Sequence, residues 1–196
     1  MNPPEFSLYD HQQRLALDLS ALTALAGAAW PLVMAAPGPD VPVLPDLSEV
    51  EVSFITNEAI ARVHAEFLGD PTPTDVITFA HGEILISTEM AIRQAADHEQ
   101  PPEREVALYL IHGMLHLHGH EDKSATGFTT MKLLQEAILN QVWPLDRSGM
   151  AGGASTGRTA DPRSQPGVGI WLGLRMRKSS HMRALAIFTG GLTSSG

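Results

Sequence analysis

The chain contains no cysteine among its 196 residues. This absence excludes a disulfide framework, thiol catalysis and a metal site built on thiolates. It is also typical of proteins in a reducing compartment, so we expect a cytoplasmic protein. Any metal ion would have to bind to His, Asp or Glu side chains.

A clean hydrophobic run long enough to cross a membrane is also missing. The most apolar segment, residues 15–33, is interrupted by Asp18, and acidic residues precede it where a signal peptide carries positive charge. Its leucines recur at helical spacing and predict an amphipathic helix that packs on a core and ends at Pro31. We expect no membrane association.

Positive charge is scarce in the first three quarters of the chain. Residues 1–146 contain 21 acidic residues and six Lys or Arg, a net charge of -15, whereas residues 147–196 carry a net charge of +6. An acidic body repels phosphate and a basic segment attracts it. The charge distribution therefore gives divided evidence on nucleic-acid binding.

The composition changes abruptly after Asp146, from periodic apolar patterns to Gly, Ser, Thr and Arg. We predict a folded domain over residues 1–146 and a low-complexity basic tail, mostly disordered, over residues 147–196. Within the domain, a proline-rich surface loop is predicted at residues 35–45. Strands are predicted at residues 50–55, 74–79 and 83–87, and further helices at residues 57–68, 88–96, 102–118 and 127–142.

Four of the nine histidines fall within nine residues, from His112 to His120. On a helix, His112 and His116 are one turn apart on the same face, so both can bind one metal ion. Gly119 can end that helix and turn the chain back, which brings Asp122 within reach as a third ligand. His120 would lie too far along the axis if the helix continued. Two imidazoles, one carboxylate and a water are typical of a catalytic zinc site.

Zinc peptidases of the HExxH type carry a glutamate directly after the first histidine, and here that position is Gly113. The missing general base favours an ester or phosphodiester as the target over a peptide. Glu121 or His120, just beyond the predicted turn, would then carry the proton. The candidate catalytic residues are His112, His116, His120 and Glu121, and the candidate metal ligands are His112, His116 and Asp122.

The segment from residue 112 to residue 122 resembles the signature of the YbeY family, bacterial metal-dependent endoribonucleases and ribosomal RNA maturation factors, which usually reads HGxLHLxGxDH. Matching segments lie upstream in the family's order. They are residues 52–54, 73–79, 82–87, 91, 94–95 and 104–105. The resemblance covers about residues 5–146.

This resemblance implies an α+β fold, with a small mixed sheet of about four strands packed with about five helices and a metal site at the C-terminal end of a central helix. It also implies one zinc ion per chain and cleavage of single-stranded RNA. The implied role is ribosomal RNA processing, including maturation of the 16S RNA 3′ end, and ribosome biogenesis. The implied partners are ribosomal RNA and the small ribosomal subunit, with a ribosomal protein or a GTPase as a further partner.

Three positions depart from the family pattern. Asp122 stands where the family normally has a third histidine. Leu68 and Asp70 stand where it usually has an arginine and a lysine, so phosphate binding by the body is weakened. Two alternatives to the nuclease therefore stay open. One is a non-catalytic ribosome-assembly factor with a structural zinc, and the other is a zinc peptidase of metzincin-like geometry.

Overall fold

The computed structural model describes residues 2–143 and 186–188. The strands are β1 (Glu5–Asp10), β2 (Glu49–Ile55), β3 (Val76–Phe79), β4 (Glu83–Ser87) and β5 (Ala186–Phe188); the helices are α1 (Leu19–Met34), α2 (Asn57–Leu68), α3 (Thr88–Asp97), α4 (Pro102–Leu117) and α5 (Ala125–Val142). Strands and helices alternate up to β3, after which a β-hairpin is followed by three consecutive helices.

The sheet has the order β1-β2-β4-β3-β5 and is mixed. Strands β1, β2 and β4 run parallel, whereas β3 is antiparallel to its neighbours β4 and β5. A tight turn at Gly82, with φ of 100°, joins β3 to β4. The mixed sheet and the helices confirm the expected α+β class.

Helix α4 lies against one face of the sheet and is buried along most of its length. Gly113 makes this close approach possible, because a β-carbon there would lie 2.8 Å from the Ile84 side chain of β4. Helices α1, α3 and α5 pack around α4 and form the main hydrophobic core with it. The histidine-rich segment therefore ends a central helix, as the sequence predicts.

The opposite face of the sheet is covered by α2. Leu85 and Ile77 alternate with the core-facing residues of their strands and are fully buried, and Phe67 of α2 packs edge-on against Phe79 of β3, with ring centroids 5.2 Å apart. Helix α2 begins after Thr56, whose side chain accepts a hydrogen bond from the Ala59 N–H. The helix predicted at residues 57–68 is thus confirmed, and its N-cap residue is Thr56.

The prediction that the first helix ends at Pro31 is wrong, since α1 continues through this proline to Met34. A proline inside a helix loses one backbone hydrogen bond. Burial of Trp30 and Val33, which flank it on the core side, offsets that loss. The 35–45 loop also contains one turn of 3-10 helix, Leu44–Asp46.

Strand β1 is absent from the sequence-based prediction. Its partner β2 lies about 40 residues further along the chain, with Glu5 opposite Glu49, so the pairing is a tertiary contact. Within the described residues, no helix combines the length and the apolar character that a membrane span requires.

The predicted domain boundary at residues 146/147 and the predicted disorder of the tail fall outside the described residues, except for β5. That short strand pairs with the edge of β3, with Phe188 opposite Ile77 and Ala186 opposite Phe79. The division of the chain at residue 146 stays a prediction.

Candidate metal centre

Helix α4 ends at Leu117, and two residues later Gly119 has a φ of 88°, which other residues rarely adopt. The N–H groups of His118, Gly119 and His120 bond back to carbonyls of the last turn, so the chain reverses direction within three residues. The reversal brings Asp122 back towards the histidines of α4. This is the glycine bend that the motif spacing predicts.

Three side chains converge at this bend. The Nε2 atoms of His112 and His116 lie 2.9 Å apart, and each lies 3.9 Å from Oδ2 of Asp122. A point in the plane of the three atoms and equidistant from them lies about 2.1 Å from each, which matches zinc–nitrogen and zinc–oxygen bond lengths. This group could therefore hold a metal ion.

The hydrogen bonds of the two imidazoles fix which nitrogen carries the proton. Nδ1 of His112 donates to Oε1 of Gln135 at 2.7 Å, and Nδ1 of His116 donates to the carbonyl oxygen of His120 at 2.9 Å. Because these oxygens only accept, each neutral ring has its lone pair on Nε2. Two lone pairs that face each other at 2.9 Å repel, and a cation bound between them removes the repulsion.

Burial and charge around the group also suit a metal ion. Burial and the neighbouring His112 lower the pKa of His116 to about 3, so this ring is neutral at physiological pH and free to bind a metal. Burial raises the pKa of Asp122, an effect that the neighbouring His112 opposes and the Asp75 carboxylate reinforces. Oδ1 of Asp122 is buried without a hydrogen-bond partner among the described residues, as expected of a carboxylate whose natural partner is a cation.

The residues proposed as proton carriers lie beside this group but are engaged elsewhere. The carboxylate of Glu121 accepts hydrogen bonds from the Lys123 N–H at 2.6 Å, the Ser124 N–H at 3.0 Å and the Ser124 hydroxyl at 2.5 Å. These bonds lower the pKa of Glu121. His120 is buried, and its Nε2 donates to the carbonyl oxygen of Ala36 at 2.7 Å.

The proline-rich loop at residues 35–45 packs against the bend after α4 and forms backbone hydrogen bonds with it. The backbone N–H groups of Gly38, Asp40 and Val43 donate to the carbonyl oxygens of His118, Gly119 and Leu117, respectively. Gly38 and Gly119 have no room for side chains, because a β-carbon on either would collide with the backbone of the other segment. The loop predicted at residues 35–45 thus has exposed prolines on its outer side and the metal-binding bend on its inner side.

The position that carries the glutamate in HExxH peptidases faces away from the group. Gly113 packs directly on Ile84 of the sheet, so no side chain fits there. A water-activating carboxylate cannot be supplied from this position without separating α4 from β4. The structure therefore gives a packing reason for the glycine that the sequence places after His112.

Sequence reasoning missed Gln135. It lies on α5, 23 residues from His112, and is 6% exposed. A signal was available, because Gln135 occupies a core-facing position in an apolar stripe that includes Met131 and Ile138. A buried amide in such a stripe needs a polar partner, and the histidine pair on α4 was the candidate.

Three positions that the family pattern singles out, Arg104, Leu68 and Asp70, bear on phosphate binding near the candidate site. Arg104, which matches the family and lies in the first turn of α4, donates from Nη2 to Glu136 at 2.9 Å and to Asn140 at 3.1 Å, so it links α4 to α5. Leu68 at the end of α2 is exposed, and Asp70 accepts hydrogen bonds from the backbone and hydroxyl of Thr72. These three positions place no free cation beside the histidines.

Comparison with known proteins identifies relatives of one kind. Residues 11–143 match the family model described as "Endoribonuclease YbeY". A curated protein of that name from Protochlamydia amoebophila is 37% identical over 95 residues, covering 43% of this chain and 63% of the relative. Its counterpart from Shouchella clausii is 37% identical over 122 residues, covering 52% of this chain and 76% of the relative.

A solved structure has the same fold. The solution structure of TM1509 from Thermotoga maritima superimposes with a TM-score of 0.51 and 23% sequence identity, over 79% of this chain and 99% of that protein. At this level of identity the similarity concerns the fold.

Proposed function

Because this chain belongs to the YbeY family, we propose that it is a metal-dependent endoribonuclease that cleaves single-stranded RNA. The observation that carries the proposal is the convergence of His112, His116 and Asp122, with both Nε2 lone pairs directed into the space between them. We propose ribosomal RNA as the substrate, with maturation of the 16S RNA 3′ end and ribosome biogenesis as the process and the cytoplasm as its place.

The proposed ion is zinc, one per chain. Two imidazole nitrogens and one carboxylate oxygen form a common catalytic zinc set that leaves one coordination position open. A bound zinc ion supplies Lewis acidity towards a phosphoryl oxygen and an attacking water. His112 and His116 provide neutral donors, and Asp122 provides the single negative charge.

The ligand set is less positive than three histidines, because Asp122 replaces the family's usual third histidine. The carboxylate neutralises one of the two positive charges of the ion, which weakens its Lewis acidity. A proton acceptor close to the attacking water then matters more. The proposal assigns this task to His120 or Glu121.

The two candidate proton carriers differ in what they offer. Nε2 of His120 donates to Ala36, so Nδ1 is the atom of the neutral ring that can accept a proton. Glu121 already accepts three hydrogen bonds that lower its pKa, so it is the weaker base. These contacts favour His120 between the two.

The acidic body offers few cations to RNA, with six Lys or Arg against 21 acidic residues in residues 1–146. Phosphate contacts by Lys and Arg supply most of the affinity of proteins for RNA backbones. Leu68 and Asp70 provide none at the end of α2, whereas residues 147–196 carry a net charge of +6. We propose that this basic segment supplies the phosphate affinity.

Zinc content and RNA cleavage, measured on the same preparations, test the proposal. Purified wild-type protein should contain about one zinc per chain and cleave single-stranded ribosomal RNA. His112→Ala should lose both properties. The control variant His11→Ala should keep both, because His11 is exposed and lies near the start of the chain, far in sequence from His112. Retention of stoichiometric zinc by His112→Ala would show that the ligand assignment is wrong.

A second set of variants separates the nuclease from a non-catalytic assembly factor with a structural zinc, which the exposed Leu68 and the acidic Asp70 favour. The partner of such a factor would be a ribosomal protein or a GTPase. For the nuclease, Asp122→Ala loses zinc and cleavage, while Glu121→Ala keeps zinc and shows by its residual cleavage whether this carboxylate carries the proton. Full zinc occupancy of the wild type without any metal-dependent RNA cleavage would favour the assembly factor.

The packing of α4 argues against the peptidase alternative. Gly113 lies against Ile84, so the position that carries the catalytic glutamate in HExxH peptidases has no room for a side chain. Metal-dependent cleavage of casein by the purified protein would nevertheless revive it.

A further inference from the structure

Gln135 is a buried polar residue in an otherwise apolar stripe of α5. The core-facing positions of this helix are Met131, Gln135, Ile138, Leu139 and Val142. An amide buried without a hydrogen bond is destabilising, because it loses its hydrogen bonds to water and gains none in the protein. Gln135 is therefore compatible with this stripe only because it has a partner, and that partner is His112.

The bond between Gln135 and His112 joins two helices. Oε1 of Gln135 lies 2.7 Å from Nδ1 of His112, well within the range of a strong N–H···O hydrogen bond. Gln135 is 6% exposed, and the His112 side chain is 12% exposed. Water therefore has little access to this bond and cannot easily replace the amide.

The second histidine is held differently. Nδ1 of His116 donates to the backbone carbonyl of His120, which belongs to the same bend that carries Asp122. A backbone carbonyl can only accept, so the tautomer of His116 is fixed by the fold itself. The tautomer of His112, in contrast, depends on one side chain from another helix, 23 residues away.

The helix that carries Gln135 is locked to α4 two turns from His112. Arg104 near the start of α4 donates to Glu136 and Asn140 of α5, and its side chain is 15% exposed. Glu136 directly follows Gln135 in the sequence. This contact fixes the register of the two helices and holds the amide at the height of His112.

We propose that Gln135 is a positioning residue for the metal centre. It holds the ring of His112 in the tautomer with the proton on Nδ1, so that the Nε2 lone pair points at the space shared with His116 and Asp122. This inference rests on the metal centre proposed above. It assigns to α5 a part in that centre which the motif on α4 does not contain.

The neutral amide also sets the charge of the centre. A carboxylate at position 135 would accept the same hydrogen bond and raise the basicity of His112 further, as carboxylate–histidine pairs do in other metal sites. With the neutral Gln135, Asp122 is the carboxylate that joins the two histidines in this group of described residues. Gln135→Glu should therefore bind zinc at least as tightly as the wild type.

The test is the zinc affinity of the full-length chain, measured by competition with a chromogenic chelator. Gln135→Leu removes the acceptor at similar volume and should bind zinc about 10–100-fold more weakly, the usual effect of losing such a partner. Gln135→Glu should rescue the affinity. Gln141→Leu is the matched control, because Gln141 is an exposed glutamine of the same helix whose amide donates to the backbone carbonyl of Ala137 within α5. The zinc affinity of this variant should be unchanged.

A second readout does not depend on any variant folding. Long-range proton–nitrogen NMR of the metal-free wild type should show His112 with the proton on Nδ1 and an unprotonated Nε2. An Nε2-protonated His112 would overturn the inference, and so would a folded Gln135→Leu that binds zinc within twofold of the wild type.

The outcome is separable from that of the proposed nuclease. If Gln135→Leu weakens zinc binding and the wild type binds zinc but cleaves no RNA, the positioning role stands and the nuclease proposal fails. If RNA is cleaved and zinc affinity is insensitive to Gln135, the reverse holds.

Discussion

Helices α2 and α4 are each followed within two residues by a glycine in the left-handed conformation. Gly69 follows α2 with a φ of 73°, and Gly119 follows α4 with a φ of 88°. Each glycine is followed within two residues by a carboxylate that accepts hydrogen bonds from the next turn, Asp70 in one case and Glu121 in the other. The local sequence therefore produces two similar chain reversals.

The surroundings of the two reversals differ. At Gly69 a β-carbon would meet nothing within 4 Å, whereas at Gly119 it would collide with the carbonyl group of Asp40. The bend after α4 is enclosed by the 35–43 loop and contains the acceptor for His116 and the carboxylate of Asp122. The bend after α2 is open and presents Leu68 to solvent. A helix end becomes a candidate site only where a second segment holds it in place.

The largest expected effect comes from adding one methyl group at each glycine. Gly69→Ala costs only the strain of a left-handed alanine, about 1–2 kcal/mol. Gly119→Ala adds a collision with the Asp40 backbone, so we expect a loss of roughly 3 kcal/mol or more in the free energy of unfolding. Urea denaturation of both variants measures the difference.

Zinc affinity extends this comparison. Gly119→Ala should also weaken zinc binding, because the bend carries Asp122, whereas Gly69→Ala should leave it unchanged. Equal losses of stability for the two alanines would mean that the loop does not constrain the bend after α4, and the contrast between the two helix ends would be lost.

A smaller effect is expected from restoring positive charge at the open end of α2. Leu68→Arg adds one cation at a position where the family usually has arginine. We expect a severalfold gain in affinity for single-stranded RNA at low salt, with the slope of log affinity against log salt steeper by about 0.7, as for one added phosphate contact. Fluorescence anisotropy with a labelled single-stranded RNA at several salt concentrations measures both quantities.

The matched control for this experiment is Leu133→Arg. Leu133 is an exposed leucine on α5, so the variant adds the same charge at another surface. An equal gain from Leu133→Arg would mean that the added charge acts through the net charge of the body, and the end of α2 would have no particular role in RNA binding.

The two helix ends also show what the sequence could predict. Both reversals and the convergence of His112, His116 and Asp122 follow from local spacing, because a helix turn and a glycine fix their relative positions within eleven residues. Three other features are contacts between distant segments. They are the hydrogen bonds from the 35–45 loop to the bend after α4, the pairing of β1 with β2, and the hydrogen bond between Gln135 and His112. Local periodicity contains no information on which segments meet.

Pro31 also shows that local sequence rules do not fix a helix boundary. The rule that proline ends a helix is local, and it fails in α1 because Trp30 and Val33 are buried against the core. Tertiary burial decided this helix boundary, whereas at Gly119 the local conformational preference and the tertiary contacts agree.

The smallest expected effect concerns the two carboxylates that follow the glycines. Hydrogen bonds lower the pKa of Asp70 below its ordinary value of 3.8 and that of Glu121 below 4.5. A carboxylate with a lowered pKa stabilises the folded state above its unfolded pKa, and this contribution is lost as the pH falls through the folded pKa. Asp70→Asn and Glu121→Gln should therefore each lower Tm slightly at neutral pH, and the differences from the wild type should shrink as the pH falls through the folded-state pKa of each carboxylate.

Metal-free protein is the right sample for this measurement, because zinc binding would add a second source of pH dependence through Asp122. Glu121 accepts three hydrogen bonds and Asp70 accepts two, so the Tm difference at neutral pH should be larger for Glu121→Gln. Thermal scans by circular dichroism from neutral pH down to about pH 3 follow both differences. A Tm difference for Glu121→Gln that persists unchanged in acid would show that this side chain acts by packing and not by its charge.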